Sequence, residues 1–296
     1  MHLLYLIFGN NFNNYLQAYA SIFSFKAKNS DLKTVNVITD HPEWFEHIKD
    51  SVVVIPLSEE QLIAWKGPYN YFWRAKIKAI ETLSKQYQNE PIVYLDTDTF
   101  LYTNTEKMVG TLRNNVALMH LNEGLIKNDK TKTVKKMYKQ TQALHDSSVD
   151  NLHNHEMWNA GVVASPNTKN GEEFVLALEI CDFLCKNKVT DRLLEQFSLS
   201  VALKTTYGLE ECQNSIAHYW SNKEEWNRHW SEFFLTTLFQ DWDINYCVAK
   251  FNEQDFSKIP ILKISKNTKK RLTLWVEKNF PDKKREYLKN SNHKSN

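Results

Sequence analysis

Glycine is scarce in this chain, at 7 of 296 residues. Neither G-x-G-x-x-G nor the G-x-x-x-x-G-K-[ST] loop occurs, which excludes the two glycine-rich turns that cradle phosphates at a helix N-terminus. A bound nucleotide must therefore be held another way. Cysteine is almost as sparse, and Cys181, Cys185, Cys212 and Cys247 show no C-x-x-C or Cys/His metal spacing. Cys181 and Cys185 lie four apart in an apolar helical pattern and read as small core hydrophobes in a reducing compartment. No apolar run approaches the length of a membrane-spanning helix. The opening Met1–Phe8 is too short for a signal peptide and lacks its basic start. It reads as a first strand, and the expected location is cytoplasmic. There is no internal repeat and no low-complexity linker.

What is present is an ordinary soluble composition, 42% hydrophobic and 24% charged, enriched in aromatics with 9 Trp, 13 Tyr and 16 Phe. The net charge of +2 hides an asymmetry. Residues 257–296 carry twelve Lys or Arg against three Asp or Glu, a net +9, which leaves −7 on the first 256. The expected organisation is one compact domain over 1–256 and a basic, aromatic segment over 257–296. Basic residues interleaved with Leu272, Trp275 and Phe280 suit an anionic membrane interface, or else a docked helix with a solvated end. The acidic body argues against nucleic acid as a partner.

Apolar runs alternate with helical periodicity. Strands are expected at Leu3–Phe8, Val35–Ile38, Ser51–Ile55, Ile92–Leu95, Val116–Met119 and Asn159–Ala164. Helices are expected around Leu16–Phe23, after the capping box at Ser58, and over 71–87, 130–144, 172–186, 191–203 and 224–239. Uninterrupted apolar strands between helices predict an α/β fold with a mainly parallel sheet covered by helices.

The most informative stretch is Leu95-Asp96-Thr97-Asp98-Thr99, which follows the apolar Ile92-Val93-Tyr94. In extended chain, residues two apart face the same way, so Asp96 and Asp98 would point together and Thr97 away. Two close carboxylates repel, more so when buried, and need a cation. A hard divalent ion sharing its shell with substrate phosphates fits; a solvated acidic turn is the plain alternative.

Several segments, in order, resemble family 8 of the GT-A-fold glycosyltransferases, the retaining galactosyl- and glucosyltransferases and related bacterial polysaccharide enzymes. Tyr94–Phe100 is similar to the family's Tyr-Leu-Asp-x-Asp motif, Arg74–Ile80 to its Arg-bearing helix, and Trp158–Val163 to its Phe-Asn-(Ala/Ser)-Gly-Val strand. Glu195-Gln196 stands where the family has an acid-Gln pair, and His218–Lys223 resembles its His…Gly…Lys-Pro-Trp segment without the Gly and Pro-Trp. After the first strand, where the family carries an acidic residue facing the base, this chain has Asn10, Asn11, Asn13 and Asn14.

The resemblance implies a GT-A fold and hexose transfer from a nucleotide-diphosphate sugar, with uridine the expected base, to a glycan or lipid-linked glycan with retention. It implies Mn²⁺ or Mg²⁺ held by Asp96, Asp98 and His218, a Lewis acid for the departing diphosphate. Donor contacts would come from Asp96, Arg74, Gly161, Lys223, Asn10 and Tyr15. Glu195, Gln196 and Asn159 would face the reacting sugar, Gln196 stabilising an oxocarbenium-like transition state. Lys223 could instead be a solvated lysine opening a helix, and Tyr15 a core residue. Aromatics in the second half offer stacking platforms for a glycan. Two other readings remain. A sugar-phosphate nucleotidyltransferase shares the sheet and the carboxylates, but opens with a glycine-rich, Arg-containing loop where this chain has Gly9-Asn10-Asn11. A non-catalytic member of the fold would bind nucleotide or glycan without transfer.

Overall fold

A computed structural model describes residues 1–28, 31–144, 150–264 and 267–280. The N-terminal half alternates strands and helices: β1 (His2–Ile7), α1 (Phe12–Lys28), β2 (Thr34–Thr39), a 3-10 segment (Pro42–Ser51), β3 (Val53–Pro56), α2 (Glu59–Lys66), α3 (Arg74–Gln86) and β4 (Ile92–Leu95). Then come β5 (Thr99–Leu101), α4 (Glu106–Arg113), β6 (Ala117–Leu125), α5 (Lys132–Thr141), β7 (Glu156–Ser165), α6 (Glu172–Lys186) and α7 (Leu194–Tyr207). The chain continues through β8 (Leu209–Glu211), β9 (Ile216–His218), α8 (Lys223–Phe239), α9 (Ile244–Asn252) and α10 (Asn267–Asn279).

Seven strands form one sheet in the order β3-β2-β1-β4-β7-β6-β8, and β5 with β9 makes a separate two-stranded ribbon. β1 pairs in parallel with both β2 and β4, as do β2 with β3 and β6 with β8. The sheet is thus mostly parallel, with β7 inserted antiparallel between β4 and β6. Alternate residues supply two cores. Leu4, Tyr94 and Val163 face the side covered by α3, α6 and α7. Leu3, Tyr5, Val93 and Val162 face the side covered by α1, α8 and α9. The second core holds the fully buried Trp226 and Trp230. Their indole N–H groups donate to Pro260 O (3.2 Å) and Tyr219 Oη (3.0 Å), so burying two indoles leaves no donor unpaired.

Boundaries depart from the sequence expectations where local chemistry overrides periodicity. The expected strand at Ser51–Ile55 begins at Val53 because Pro42–Ser51 winds as 3-10 turns. β6 runs six residues past Met119, beyond the apolar run, because its polar end pairs with β7 through two bulges. The composition change at 257 is not an edge of packing. Ile259 and Ile261 pack on the second core, Asn222 Nδ2 donates to Pro260 O (2.7 Å), and Lys263 N donates to Ser221 Oγ (3.0 Å). Residues 256–264 therefore form a strap across the loop entering α8. Among the described residues, no helix is long and apolar enough to cross a membrane.

Candidate active site

β4 ends at Leu95, so Asp96-Thr97-Asp98 is a turn leading into β5 rather than continuing strand. Thr99 Oγ1 closes it by donating to Asp96 O (2.7 Å), and Asp96 N donates to Gly161 O (2.9 Å) on β7. The two carboxylates converge through this turn and not through two-residue strand alternation. Thr97 was expected to face away, but it lines the same cleft as the two aspartates while its Oγ1 donates to Gln17 Oε1 (3.0 Å).

The ribbon brings in the third group. Thr99 pairs with His218 across β5 and β9, and Tyr219 N donates to Asp98 O (3.1 Å). Ligand atoms of Asp96, Asp98 and His218 lie within 4.8 Å of one another. His218 Nε2 is 3.4 Å from Asp98 Oδ1, and Lys223 Nζ is 2.8 Å from Asp98 Oδ2. Burial alone would push the Asp98 carboxyl up, but His218 and Lys223 outweigh it and hold the group well below the usual carboxylate range.

The imidazole is oriented from behind. Asn159 Oδ1 accepts from Gly161 N (3.0 Å), which fixes that atom as oxygen. It is also 3.0 Å from His218 Nδ1, which must therefore carry the proton and donate. Nε2 is left facing the aspartates, the ring nitrogen that a metal-binding histidine would present to its ion. Gly161 permits the approach: a Cβ there would lie 2.3 Å from the ring. Two carboxylates, one imidazole lone pair and a glycine cradle fit a divalent cation, with oxygen ligands suited to Mn²⁺ or Mg²⁺.

These groups line a cleft of 500 Å³ with Asn14, Trp73, Glu123, Asn159, Gln196 and Trp220. An adjoining space of 460 Å³ is lined by Lys76, Asp96, Gly161, Glu195 and Gln196. Glu195 and Gln196 open α7, and the residue before it, Leu193, sits in the left-handed region at φ 64, at a cost of about 1–2 kcal/mol. Leu194 N donating to Tyr71 Oη (3.2 Å) and Tyr71 Oη donating to Glu195 Oε2 (2.9 Å) hold it there. Burial pushes the Glu195 carboxyl up, opposed by the charge of Lys76.

No protein-family model matches the chain, and no curated protein matches its sequence. Solved structures match its fold. The apo form of the glycosyltransferase GlyE from Streptococcus pneumoniae TIGR4 aligns over 84% of this chain and 62% of its own, with TM-score 0.51 and 16% identity. This chain thus spans less than two thirds of GlyE. The fold is that of a GT-A glycosyltransferase. The galactosyltransferase LgtC, solved in complex with donor and acceptor sugar analogs, aligns over 72% of this chain and 73% of its own (TM-score 0.45, 12% identity). Mouse xyloside xylosyltransferase 1 aligns over 71% and 84% (TM-score 0.46, 12% identity).

Within this GT-A frame, the structure gathers Asp96, Asp98, Asn159, Gly161, Glu195, Gln196, His218 and Lys223 at one place. Three expected residues are elsewhere. Arg74 makes a paired contact with Asp182 (2.7 and 2.9 Å) and donates to Trp65 O (2.9 Å), on the side of α3 away from the aspartates. Asn10 is held by His41, Oδ1 to Nε2 at 2.9 Å, and Asn14 lines the cleft in its stead. Tyr15 is a core residue, edge-on to Trp44 at 4.1 Å, with its hydroxyl donating to Gly9 O and Asp40 Oδ1.

Lys76 takes the position expected for Arg74. Its Nζ lies 3.0 Å from Asp96 Oδ1, donates to Ala160 O (2.9 Å) and sits over the Tyr94 ring at 4.9 Å. A signal was available, because Lys76 shares a helical face with Ala79, Ile80 and Leu83, and a lysine on an apolar face needs a buried partner. Glu123 was also missed. The bulges of β6 aim it into the cleft, where it accepts from Asn159 Nδ2 (3.3 Å) and Gln196 Nε2 (3.1 Å). Burial pushes its carboxyl up.

Proposed function

We propose that the protein is a divalent-metal-dependent hexosyltransferase using a nucleotide-diphosphate sugar, UDP-linked in the first instance, and a glycan or lipid-linked glycan acceptor. The observation carrying this reading is the shared burial of Asp98 between His218 and Lys223, with Asp96 alongside and the cleft open above them. The ion, when bound, supplies Lewis-acid stabilisation to the departing diphosphate. Lys223 adds a point charge for a diphosphate oxygen. Lys76 stands beside Asp96 on the other side, its ammonium 3.0 Å from Oδ1 as a fixed counter-charge. Asn159 holds His218 in the ligating tautomer and ties it to Glu123. The Gln196 amide is fixed by Glu123 and Ala160 N, an uncharged group suited to a developing oxocarbenium face. Retention is the outcome that the resemblance to family 8 implies.

The test is thermal unfolding of the full chain against UDP, GDP, CDP and their sugars, with Mn²⁺ or with EDTA. A ligand at 100 times its dissociation constant stabilises by about 2.7 kcal/mol, which moves the midpoint by a few degrees at this size. One nucleotide is expected to act only with metal, and Asp98→Ala to abolish the shift. A shift equal in EDTA, or retained by Asp98→Ala, removes the metal-diphosphate reading.

A further inference from the structure

We propose that a second cavity, across α1 from the cleft, binds the hydrocarbon chain of a lipid-linked acceptor. The inference rests on the transferase reading only for the identity of the molecule that carries the chain. The cavity measures 660 Å³, larger than the cleft itself. Phe12, Leu16 and Tyr19 of α1 form one wall; Phe234 and Leu238 of α8 and the adjacent Trp242 form the facing one. Trp44 and His47, from the 3-10 segment, complete it.

Two features select the ligand class. Among the described residues no lysine or arginine lines the cavity, and the one carboxylate there is Asp241, so a diphosphate or an acidic sugar meets repulsion rather than a counter-charge. Apolar residues also stand in water at the mouth: Phe12 is 64% exposed and Leu238 72%. Large side chains left uncovered beside an aromatic-lined space mark a site for apolar matter.

The choice of the acceptor's chain comes from the wall the two spaces share. Asn14 lines the cleft, whereas Phe12, Tyr15 and Leu16, on the same turn of α1, line the cavity. The two spaces lie on different faces of that turn, so a molecule with its head in the cleft and its tail in the cavity passes around one helix, about 10 Å across. That wall is fastened at both ends by Gln17, which accepts from Thr97 of the aspartate turn and donates through Nε2 to Asn227 Oδ1 of α8 at 2.7 Å.

The test uses bromine, which quenches indoles it touches. The full chain is titrated, without nucleotide, with 12-bromododecyl β-glucoside below its micelle concentration. Methyl β-glucoside with bromoethanol, and vesicles of brominated phosphatidylcholine, serve as the other arms. Saturable quenching by the bromododecyl glucoside alone is expected. It should be lost in Trp44→Phe/Trp242→Phe, and weakened about tenfold by Leu238→Glu, whose exposed site does not threaten folding. Quenching that persists in the double tryptophan variant, or never saturates, overturns the proposal. Quenching only by the vesicles makes this face a membrane-insertion surface instead. A concentration-dependent dimer dispersed by Leu238→Glu, with no quenching, assigns the face to a second copy. Because no nucleotide is present, failure here leaves the metal-dependent nucleotide shift untouched, and failure of that shift leaves the quenching unexplained by transfer alone.

Discussion

Lys76 is the counter-charge of Asp96, and motif reading passes over it. Its ammonium is almost wholly buried, bridging Asp96 and a β7 carbonyl. In Lys76→Met the stem still packs but Asp96 loses its partner. Asp96 keeps some access to water, so the expected stability loss is only about 1–2 kcal/mol. Turnover should fall by about 100-fold or more, the scale of removing one fixed electrostatic contact from an active site. Equal turnover of variant and parent under saturating metal would disprove that role. Far from the site, Glu90 gives a separate titration. Hydrogen bonds from Lys33 and His2 hold its carboxyl down to about 2. A depressed carboxyl stabilises the fold at pH values above its unfolded pKa, about 4.3, and that contribution is lost as pH falls toward 2. Glu90→Gln should flatten the acid limb of an unfolding-midpoint profile across that window.

Strand β7 does the positioning at the scale of elements. Inserted antiparallel between β4 and β6, it presents Asn159 and Gly161 to the imidazole and anchors the aspartate turn through Gly161 O. Gly161 has no positive φ, so alanine is tolerated by the backbone and only its Cβ collides, at 2.3 Å from His218. Gly161→Ala should therefore displace the ring, raising the Mn²⁺ dissociation constant by about tenfold or more while far-ultraviolet circular dichroism stays native; calorimetric titration checks it. The strands that matter most were readable because they are continuous apolar runs: β1, β2, β4 and the centre of β7 fall where period and composition place them. The ribbon of β5 and β9 was not, since three residues carry no period, and its pairing spans more than a hundred residues of sequence. Hence Asp96, Asp98 and His218 could be named, but their meeting was supplied by motif order alone. Arg74 misled for a related reason. Arginine at a helix start looks functional until Asp182, distant in sequence, claims it.

For the molecule as a whole, the acidic body and basic end suggested by composition are joined more intimately than their charges imply. α10 leaves Leu272, Trp275 and Val276 exposed at helical spacing, with the Trp275 and Phe280 rings 6.1 Å apart. We propose that this stripe rests on an anionic membrane. Each Lys or Arg near such a surface adds about 1 kcal/mol, so pelleting with phosphatidylserine vesicles should weaken steeply with salt. A shortened chain ending at Ile264 keeps the strap and should stay in solution; if it pellets as well as the full chain, the stripe is not the contact. The strap has a consequence for how the molecule comes into being. A chain made from its N-terminus has both aspartates, β7 and His218 in hand well before residues 260–263 are added. Until those residues emerge, Asn222 and Trp226 lack the carbonyl of Pro260, and Ser221 in the loop before Lys223 lacks its contact with Lys263. The Lys223 end of the cleft is thus the last to be assembled on the ribosome, so a nascent chain arrested short of it carries Asp96, Asp98 and His218 without the finished entry to α8.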